Sequence, residues 1–381
     1  MCKKAGHASM NKHVLVTGGA GFIGAHVTDA LIRNGCRVRV LDSLVSQVHG
    51  PERKRPQYLH PDAELIIGDV RDLRVVSKAV RGADAVVHLA ALVGVGQSMY
   101  QIDEYTNVNI GGTATLMQVL STQPVECVVV ASSMSIYGEG SYEDVEGNPR
   151  IAGERSSEQL KAGDWEMRDG RGRPLAPIPT AEDKNPALAS IYAVSKYSQE
   201  RIVLLAARAY GIRAVALRFF NTYGPYQSLS NPYTGVLSNF ATRVLNGRPP
   251  LIYEDGLQKR DFVSVRDVAS ACRLALEAPD ADGQALNISS GQAVTIKEIA
   301  EQACRILGAA KLQPEITRKY RTGDIRHCFA DISRAKDVLG WRPTVTLEQG
   351  LDALAVWLRG QRAIDRVVQA RSELASRGLM I

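Results

Sequence analysis

The sequence lacks the features that mark several common classes of protein. Its 381 residues contain only six cysteines, at positions 2, 36, 127, 272, 304 and 328, and no two of them form a C-x-x-C pair. This spacing indicates neither a disulfide framework nor a zinc site, and reduced cytoplasmic thiols are the simplest interpretation. No apolar run approaches the ~20 residues that span a membrane. The first ten residues carry charge without an apolar core, so we expect a frayed leader rather than a secretory signal.

The charge pattern argues against a nucleic-acid partner. The net charge is +6 and the isoelectric point is about 9.0, but the basic residues are scattered. The densest basic cluster, at 53–55, is short and has no interleaved aromatic residues. A mildly basic protein instead suits anionic ligands such as nucleotide diphosphates. The hydrophobic content of 45% is ordinary for a globular chain, and the length suits one two-lobed domain or two domains.

A glycine-rich turn near the start of the chain is the strongest local signal. An apolar run at 14–16 reads as a buried strand, and a helical pattern at 22–34 follows the turn. The glycines between them fit both G-x-G-x-x-G and the wider G-x-x-G-x-x-G spacing, and they are Gly18, Gly19, Gly21 and Gly24. Glycine lets the backbone approach a pyrophosphate, and the helix N-terminus supplies free N–H groups. The pattern therefore predicts a dinucleotide site.

The next strand, at 37–41, ends at Asp42, eighteen residues after Gly24. A carboxylate at this point accepts hydrogen bonds from the ribose hydroxyls of the adenosine and repels a 2′-phosphate. An ordinary surface aspartate closing a strand is the alternative. Because strand, glycine turn, helix, strand and acid occur in order, the sequence favours NAD over NADP.

Further strands at 64–67, 85–89 and 125–130 alternate with helices. This alternation predicts an α/β fold with a Rossmann-type, doubly wound parallel sheet. After the first of these strands, Asp69 could reach an adenine ring, or it could cap the helix that begins near residue 72. Small residues after the second strand, Ala90 and Ala91, fit a loop that lies against a flat ligand.

Three residues form a candidate proton-transfer group. Ser133 follows the most hydrophobic strand, while Tyr192 and Lys196 lie one turn apart on a later helix. A lysine ammonium and a charged nicotinamide ring would lower the pKa of the phenol, whose ordinary value is ~10, and a serine hydroxyl would relay its proton. A serine that only satisfies backbone groups, and a solvated Y-x-x-x-K face, are the plainer alternatives.

One region outside this framework carries a weaker signal. The apolar period disappears from 139 to 188, which contains five prolines, and this predicts a surface insertion that covers the sugar pocket as a lid or contacts a partner. We expect the NAD-binding domain at 12–222, a smaller α+β substrate lobe at 223–361 that partly crosses back, and terminal extensions at 1–11 and 362–381.

Together these motifs resemble the extended short-chain dehydrogenase/reductase family, in its NAD-dependent sugar-nucleotide epimerase/dehydratase branch. The motifs are T-G-G-A-G-F-I-G at 17–24, Asp42, Ser132-Ser133, Tyr192-x-x-x-Lys196, R-F-F-N-T-Y-G-P at 218–225, R-D-F-V at 260–263, R-T-G-D at 321–324 and L-G-W-R-P at 339–343. They cover nearly the whole chain.

The resemblance implies a role for each matching residue. The catalytic group would be Ser133, Tyr192 and Lys196. The NAD contacts would be Gly18, Gly21, Phe22, Ile23, Gly24, Asp42, Asp69, Val70, Leu89, Ala90, Ala91, Asn109, Tyr192 and Lys196. The contacts to the nucleotide-diphosphate sugar would be Ser133, Asn221, Leu251, Tyr253, Arg260, Arg321 and Asp324. The resemblance also implies a homodimer through a four-helix bundle formed by helices at about 103–120 and 190–210.

The residues after Ser133, together with Asp42, indicate which reaction of the family this chain catalyses. Related 4,6-dehydratases carry an Asp-Glu pair directly after the catalytic hydroxyl, where this chain has Met134 and Ser135. A reductase using NADPH is disfavoured by Asp42. We therefore expect a 4-epimerase that retains its NAD. The first candidate substrate is dTDP-L-rhamnose, and the second is UDP-glucose or UDP-glucuronate. A dehydratase or a reductase is less favoured. A non-catalytic NAD-sensing module would typically lose the tyrosine or the lysine, and both are present.

The motif at 321–324 also places Cys328 near a position that limits the bulk of the sugar in hexose epimerases. A small residue there predicts room in the pocket. A buried strand residue that only packs is the equal alternative.

Overall fold

A seven-stranded parallel sheet organises the fold of the computed structural model, which describes residues 11–233, 235–320, 324–361 and 363–380. The strands are β1 His13–Thr17, β2 Arg37–Asp42, β3 Glu64–Ile67, β4 Ala85–His88, β5 Cys127–Ser133, β6 Ser141–Glu143, β7 Pro149–Arg150, β8 Ala176–Ile178, β9 Arg213–Phe219, β10 Asn221–Tyr223, β11 Leu251–Ile252, β12 Lys259–Ser264, β13 Ala285–Ile288, β14 Ala293–Thr295, β15 Glu315–Ile316 and β16 His327–Cys328. The strand order in the sheet is β13-β9-β5-β4-β1-β2-β3, so the predicted Rossmann-type sheet is confirmed.

Helices cover both faces of this sheet. They are α1 Phe22–Arg33, α2 Ser46–His49, α3 Leu73–Val80, α4 Val95–Ser98, α5 Ile102–Tyr105, α6 Gly112–Leu120, α7 Ser157–Lys161, α8 Ile191–Tyr210, α9 Val236–Leu245, α10 Val265–Glu277, α11 Ile296–Ile306, α12 Ser333–Leu339, α13 Leu347–Leu358 and α14 Val367–Ser376. None of the helices in the described ranges is both long enough and apolar enough to cross a membrane.

The apolar alternation in β1 shows how the two layers form. Val14 and Val16 belong to the core that includes side chains from α1 and α10, whereas Leu15 belongs to the core that includes α3, α6 and α8. Successive side chains of a strand point to opposite faces, so one short apolar run fills both layers. The carboxyl ends of β1, β2, β4 and β5 consequently share one edge, which is where open α/β sheets bind ligands.

The later part of the chain builds a smaller lobe and also returns to the sheet. The strands β10, β12 and β14 form a second sheet, with β16 beside β12, and α9, α11 and α13 enclose a third core. β13 pairs with β9 at the edge of the main sheet, while α10 packs against α1. The two lobes therefore face each other across the carboxyl ends of the strands.

The segment 139–188 is more ordered than its composition predicts. It forms the three-stranded antiparallel sheet β7-β6-β8, the helix α7 and a small apolar cluster around Tyr142. Short strands separated by tight polar turns carry no long apolar period, which is why the sequence pattern predicted an irregular loop. In one such turn the Asp144 carboxylate accepts hydrogen bonds from two backbone N–H groups.

This insertion docks on the strand that contains Cys328. The backbone N–H of Gly140 donates to the carbonyl of His327, and Thr180 exchanges backbone hydrogen bonds with Phe329 and Asp331. The insertion also contacts the main sheet, because the Glu182 carboxylate accepts a hydrogen bond from the backbone N–H of Asn287 in β13.

Candidate active site

A cavity of about 660 Å³ lies between the two lobes at the carboxyl edge of the main sheet. Its lining residues come from the described parts of 18–135 and from residue 189 onward. The predicted lid is therefore corrected: no residue of 139–188 lines the cavity, and the segment packs beside it, against β16 and against β13 of the main sheet.

The glycine turn has the geometry that a pyrophosphate needs. Gly18 has a φ of +69°, and a Cβ there would lie 2.8 Å from the backbone nitrogen of Ala90. A Cβ on Gly24 would collide with the carbonyl oxygen of Gly18, so the turn and the start of α1 close only without side chains. Gly18, Gly21, Phe22, Ile23 and Gly24 all line the cavity.

The acid at the end of β2 lies at the same edge. Asp42 is largely buried, lines the cavity, and accepts hydrogen bonds from the backbone N–H groups of Ala20 and Leu44. A carboxylate has about four acceptor sites, so capacity remains for ribose hydroxyls. The turn and this acid together fit NAD.

Asp69, which was predicted to reach the adenine ring, also lines the cavity. The loop residues Leu89, Ala90 and Ala91 line it as well. Asp69 does not cap the following helix; Asp72 does, accepting from the N–H groups of Arg74 and Val75. The Asp69 carboxylate instead pairs with Arg71, and this hydrogen bond lowers its pKa. Val70 lies beside it in the lining.

The proposed proton-transfer group converges at the cavity. Ser190 caps α8 by accepting a hydrogen bond from the N–H of Ala193, which places Tyr192 in the first turn of the helix. Ser133 lies close enough to Tyr192 to lower the pKa of the phenol, and its Oγ accepts a hydrogen bond from the Ser135 hydroxyl at 3.0 Å. The Lys196 ammonium donates to Oε1 of Gln199 at 2.7 Å. All three predicted residues line the cavity.

Burial opposes ionisation at both key groups. It raises the pKa of the Tyr192 phenol to about 12, although the neighbouring Ser133 hydroxyl acts in the opposite direction. It lowers the pKa of the Lys196 ammonium to about 7, against the attraction of the Glu200 carboxylate. The residues of the chain alone therefore leave this tyrosine protonated at neutral pH, without the phenolate that would act as the base.

A buried polar network behind Lys196 was not predicted from the sequence. The Gln199 side-chain amide donates to Thr113, whose hydroxyl lies 2.9 Å from Nε2 of His88, and Nδ1 of His88 is 2.7 Å from the Thr17 hydroxyl. Burial lowers the pKa of His88 to about 3, so the ring is neutral at pH 7. The network joins α8, α6 and two sheet strands, and it holds Gln199 against Lys196.

A second buried group fixes α8 to the sheet. The Glu200 carboxylate accepts a hydrogen bond from Ser132 at 2.6 Å and pairs with Arg218 at 2.7 Å. Each of these side chains is less than a tenth exposed. Since Glu200 follows Lys196 by one turn, this pair sets the height of the lysine relative to the end of β5.

Asn109 requires a correction. It is fully buried behind the cavity wall, where its amide bonds the backbone N–H and carbonyl of Leu92 and donates to Ser195. A π-helical segment, Thr106–Gly111, carries it between α5 and α6. Asn109 therefore supports the cavity loop instead of contacting the cofactor, and the helix pattern did not reveal the π turn.

The predicted substrate residues in the described ranges line the other end of the cavity, and they are Asn221, Leu251, Tyr253, Arg260 and Asp324. Arg321 lies outside the described residues. Three cavity-lining amides, those of Asn221, Gln227 and Gln258, have a buried side-chain oxygen without a hydrogen-bond partner in the described chain. Such groups are costly unless a ligand or water satisfies them, and the two glutamines were not predicted.

Cys328 is not a wall of the cavity. It is 1% exposed and lies in the core cluster beneath β12, where it pairs in register with Arg260. The alternative of a packing residue is thus correct. The cavity has instead an unpredicted wall from α14, in the expected C-terminal extension: Val367, Ala370, Arg371 and Leu374 line it.

Comparison with known proteins places this geometry in a family. The model of the NAD dependent epimerase/dehydratase family matches residues 14–157 and 170–289. A dTDP-L-rhamnose 4-epimerase of Burkholderia thailandensis is 34% identical over 352 residues, which cover 91% of this chain and 95% of that protein. A putative UDP-glucose 4-epimerase of Methanocaldococcus jannaschii is 30% identical, covering 91% of this chain and 98% of the relative.

Solved structures give the same result. The Thermotoga maritima UDP-glucose 4-epimerase with UDP-glucose superposes with a TM-score of 0.74 at 31% identity, covering 91% of this chain and 98% of that one. The UDP-glucuronic acid 4-epimerase of Bacillus cereus, with UDP-glucuronic acid and NAD, also has a TM-score of 0.74, at 26% identity and with 91% and 99% coverage. This chain belongs to the NAD-dependent epimerase/dehydratase family.

Proposed function

We propose that this NAD-dependent nucleotide-sugar 4-epimerase acts on dTDP-L-rhamnose, with UDP-glucose or UDP-glucuronate as the second candidate. The observation that carries the proposal is the convergence of Ser133, Tyr192 and Lys196 on the cavity that also contains the glycine turn. The 34% identical relative named as a dTDP-L-rhamnose 4-epimerase supports the first substrate. Relatives named as UDP-glucose and UDP-glucuronate 4-epimerases support the second.

The lining beside Ser133 argues against elimination of water. Met134 and Ser135 both line the cavity, so the two positions after the hydroxyl present a thioether and an alcohol. Neither group has the acidity of the carboxylic acids that would protonate a leaving hydroxyl. A 4-keto sugar formed here would therefore keep its 6-substituent.

The roles of the chain follow from the contacts. When bound, NAD supplies a reversible hydride acceptor and a positive ring charge beside the phenol. The Tyr192 oxygen takes the proton of the 4-hydroxyl, and the neighbouring Ser133 hydroxyl holds that hydroxyl and shares the proton. Lys196 stabilises the phenolate while Gln199 orients the ammonium. Inversion requires the 4-keto sugar to turn its other face before the proton returns from Tyr192.

The test is a panel of dTDP-L-rhamnose, UDP-glucose and UDP-glucuronate incubated with the purified protein and followed by NMR. We expect inversion at C4 of one of them, without loss of water and without net reduction of added NAD. A dehydrated product would overturn the assignment. Binding of NAD with no turnover of any sugar nucleotide would favour the non-catalytic, NAD-sensing alternative.

A homodimer is proposed on separate grounds. Val194 and Leu205 lie eleven positions apart on α8, which returns to nearly the same face of a helix with 3.6 residues per turn. They are 37% and 48% exposed, and Ile102 of α5 is 51% exposed. We expect Leu205→Glu to convert a dimer into a monomer in light scattering, while Leu257→Glu, at an exposed site on the other lobe, leaves the mass unchanged. A wild-type monomer would contradict the proposal.

A further inference from the structure

The C-terminal helix α14 is held across the boundary between the two lobes. Its Glu373 carboxylate accepts hydrogen bonds from the hydroxyls of Tyr100, at 3.3 Å, and Tyr233, at 2.9 Å. Those hydroxyls lie 2.7 Å from each other. Leu374 packs against the backbone of Gly96 in the short helix α4. The helix is therefore docked by polar contacts to both sides of the cavity.

Four arginines line the cavity in the described part of the chain, and three of them are already engaged by the protein. Arg71 pairs with Asp69 at 2.7 Å, and Arg243 pairs with the buried Asp365 at 3.2 Å. Arg260 donates to the backbone carbonyls of residues 259, 325 and 326. Each of these cations has protein oxygens as partners.

The fourth, Arg371 of α14, differs. No carboxylate of the described residues lies within ion-pair distance of it, and its recorded contact is the ring of Tyr253, whose centroid is 5.4 Å from the guanidinium carbon. A guanidinium that stacks on a ring keeps its five N–H donors, which lie in the plane of the group. Arg371 is partly buried and lines the cavity, so those donors are available to an anionic ligand.

The neighbour of Arg371 indicates which ligand group it meets. Tyr253 directly follows β11 and lines the same cavity as Asn221 and Arg260, which the family resemblance assigns to the nucleotide-diphosphate sugar. A stacked arginine with free donors is suited to a phosphate oxygen or a pyrimidine carbonyl. We propose that Arg371 binds the nucleoside diphosphate part of the substrate, so that the C-terminal helix supplies a substrate-binding residue. The inference rests on the proposed nucleotide-sugar class but not on the reaction.

The experiment uses the full chain with its NAD and measures the affinity for UDP and for dTDP by calorimetry. The variants are Arg371→Ala and Arg371→Met, the second of which keeps the aliphatic packing. The matched control is Arg377→Ala, because Arg377 ends the same helix and stacks on another tyrosine, Tyr100, at 4.5 Å, but does not line the cavity.

We expect both Arg371 variants to bind the preferred nucleotide about 10- to 100-fold more weakly, with the NAD content unchanged and Arg377→Ala within about 3-fold of wild type. An equal loss in the Arg371 and Arg377 variants would mean that both arginines only dock the helix, and would overturn the inference. Unchanged affinity in the Arg371 variants, or a wild type that binds neither nucleotide, would do so as well. If nucleotide binding depends on Arg371 but the protein inverts no sugar, this inference is sustained and the proposed reaction is wrong.

Discussion

The insertion 139–188 and the C-terminal helix α14 both lie outside the dinucleotide framework, but only α14 lines the cavity. The insertion was expected over the sugar pocket, and it packs beside the pocket against both lobes. The C-terminal segment was expected only as an extension, and it forms a wall of the cavity. Neither the position of a segment in the sequence nor its composition predicted which of the two would line the cavity.

The chemistry of the docking surfaces explains the difference. The insertion is attached through charge: its Glu166 pairs with the fully buried Arg326 and lies 3.0 Å from His327, and its Arg155 pairs with Glu254 at 2.8 Å. The helix α14 instead combines one carboxylate, Glu373, which accepts hydrogen bonds from two tyrosine hydroxyls, with the buried apolar residues Ala370 and Leu374. Several ion pairs therefore hold the insertion, whereas a mixed polar and apolar face holds α14.

The largest effect on activity is expected from Tyr192 of α8, which belongs to neither segment. Tyr192→Phe removes the proposed base but keeps the ring, and it should reduce turnover ~10²–10⁴-fold with NAD retained. Tyr197→Phe, on the same helix but packed against the sheet core, is the control and should remain near wild type. Steady-state rates on the accepted sugar nucleotide decide the point, and near-normal turnover of the Tyr192 variant would remove this residue from the mechanism.

The charged attachment of the insertion should control stability. Arg326→Met leaves Glu254, which is 1% exposed, without one of its two cationic partners, and it also frees Glu166 and Asp255. Breaking such a buried group costs ~3–5 kcal/mol of unfolding free energy. Denaturant titration should show this loss, whereas Arg371→Met should change stability by less than ~1 kcal/mol. An equal loss of unfolding free energy in Arg326→Met and Arg371→Met would mean that the two segments do not differ in how charge holds them.

Cys328 lies at the seam where the insertion docks, since a Cβ on Gly140 would come within 3.1 Å of its Cα. Cys328→Tyr should overpack this seam and cost ~1–3 kcal/mol, with turnover per folded molecule reduced equally for every sugar nucleotide. Cys328→Ala should be milder. A selective loss of the bulkier substrates, without a lower melting temperature, would restore the residue to the pocket wall.

The framework was predictable because its signals are local. The glycine turn, Asp42 and the Tyr192-x-x-x-Lys196 pair are each read within a few residues of a strand or helix end, and parallel strands bring such ends to one edge. The five strands of this half were accordingly predicted within a residue or two of their observed bounds, apart from the end of β5, which lies three residues later than predicted.

The remainder depends on contacts between distant residues. The hydrogen bond from Tyr100 to Glu373 joins residues 273 positions apart, and that from Arg326 to Glu166 joins residues 160 apart. No period or motif in a single sequence encodes such a pairing. Asn109 failed for a related reason: its placement behind the wall depends on a π turn, which the apolar pattern of the surrounding helix does not distinguish from an α-helix.

The smallest expected effect is the acid sensitivity of the insertion. The hydrogen bond from His327, with Arg326 nearby, lowers the pKa of Glu166 to about 2. A carboxylate whose pKa is depressed in the folded state stabilises the fold above its unfolded value, ~4.5, and this contribution is lost as the pH falls toward 2. The melting-temperature gap between wild type and Glu166→Gln should therefore be constant above about pH 5.5 and narrow between about pH 5 and pH 3. Glu146→Gln, at a more exposed pair with Arg173, should show a small gap that hardly changes. A gap for Glu166→Gln that stays constant with pH would mean that its charge does not hold the insertion in place.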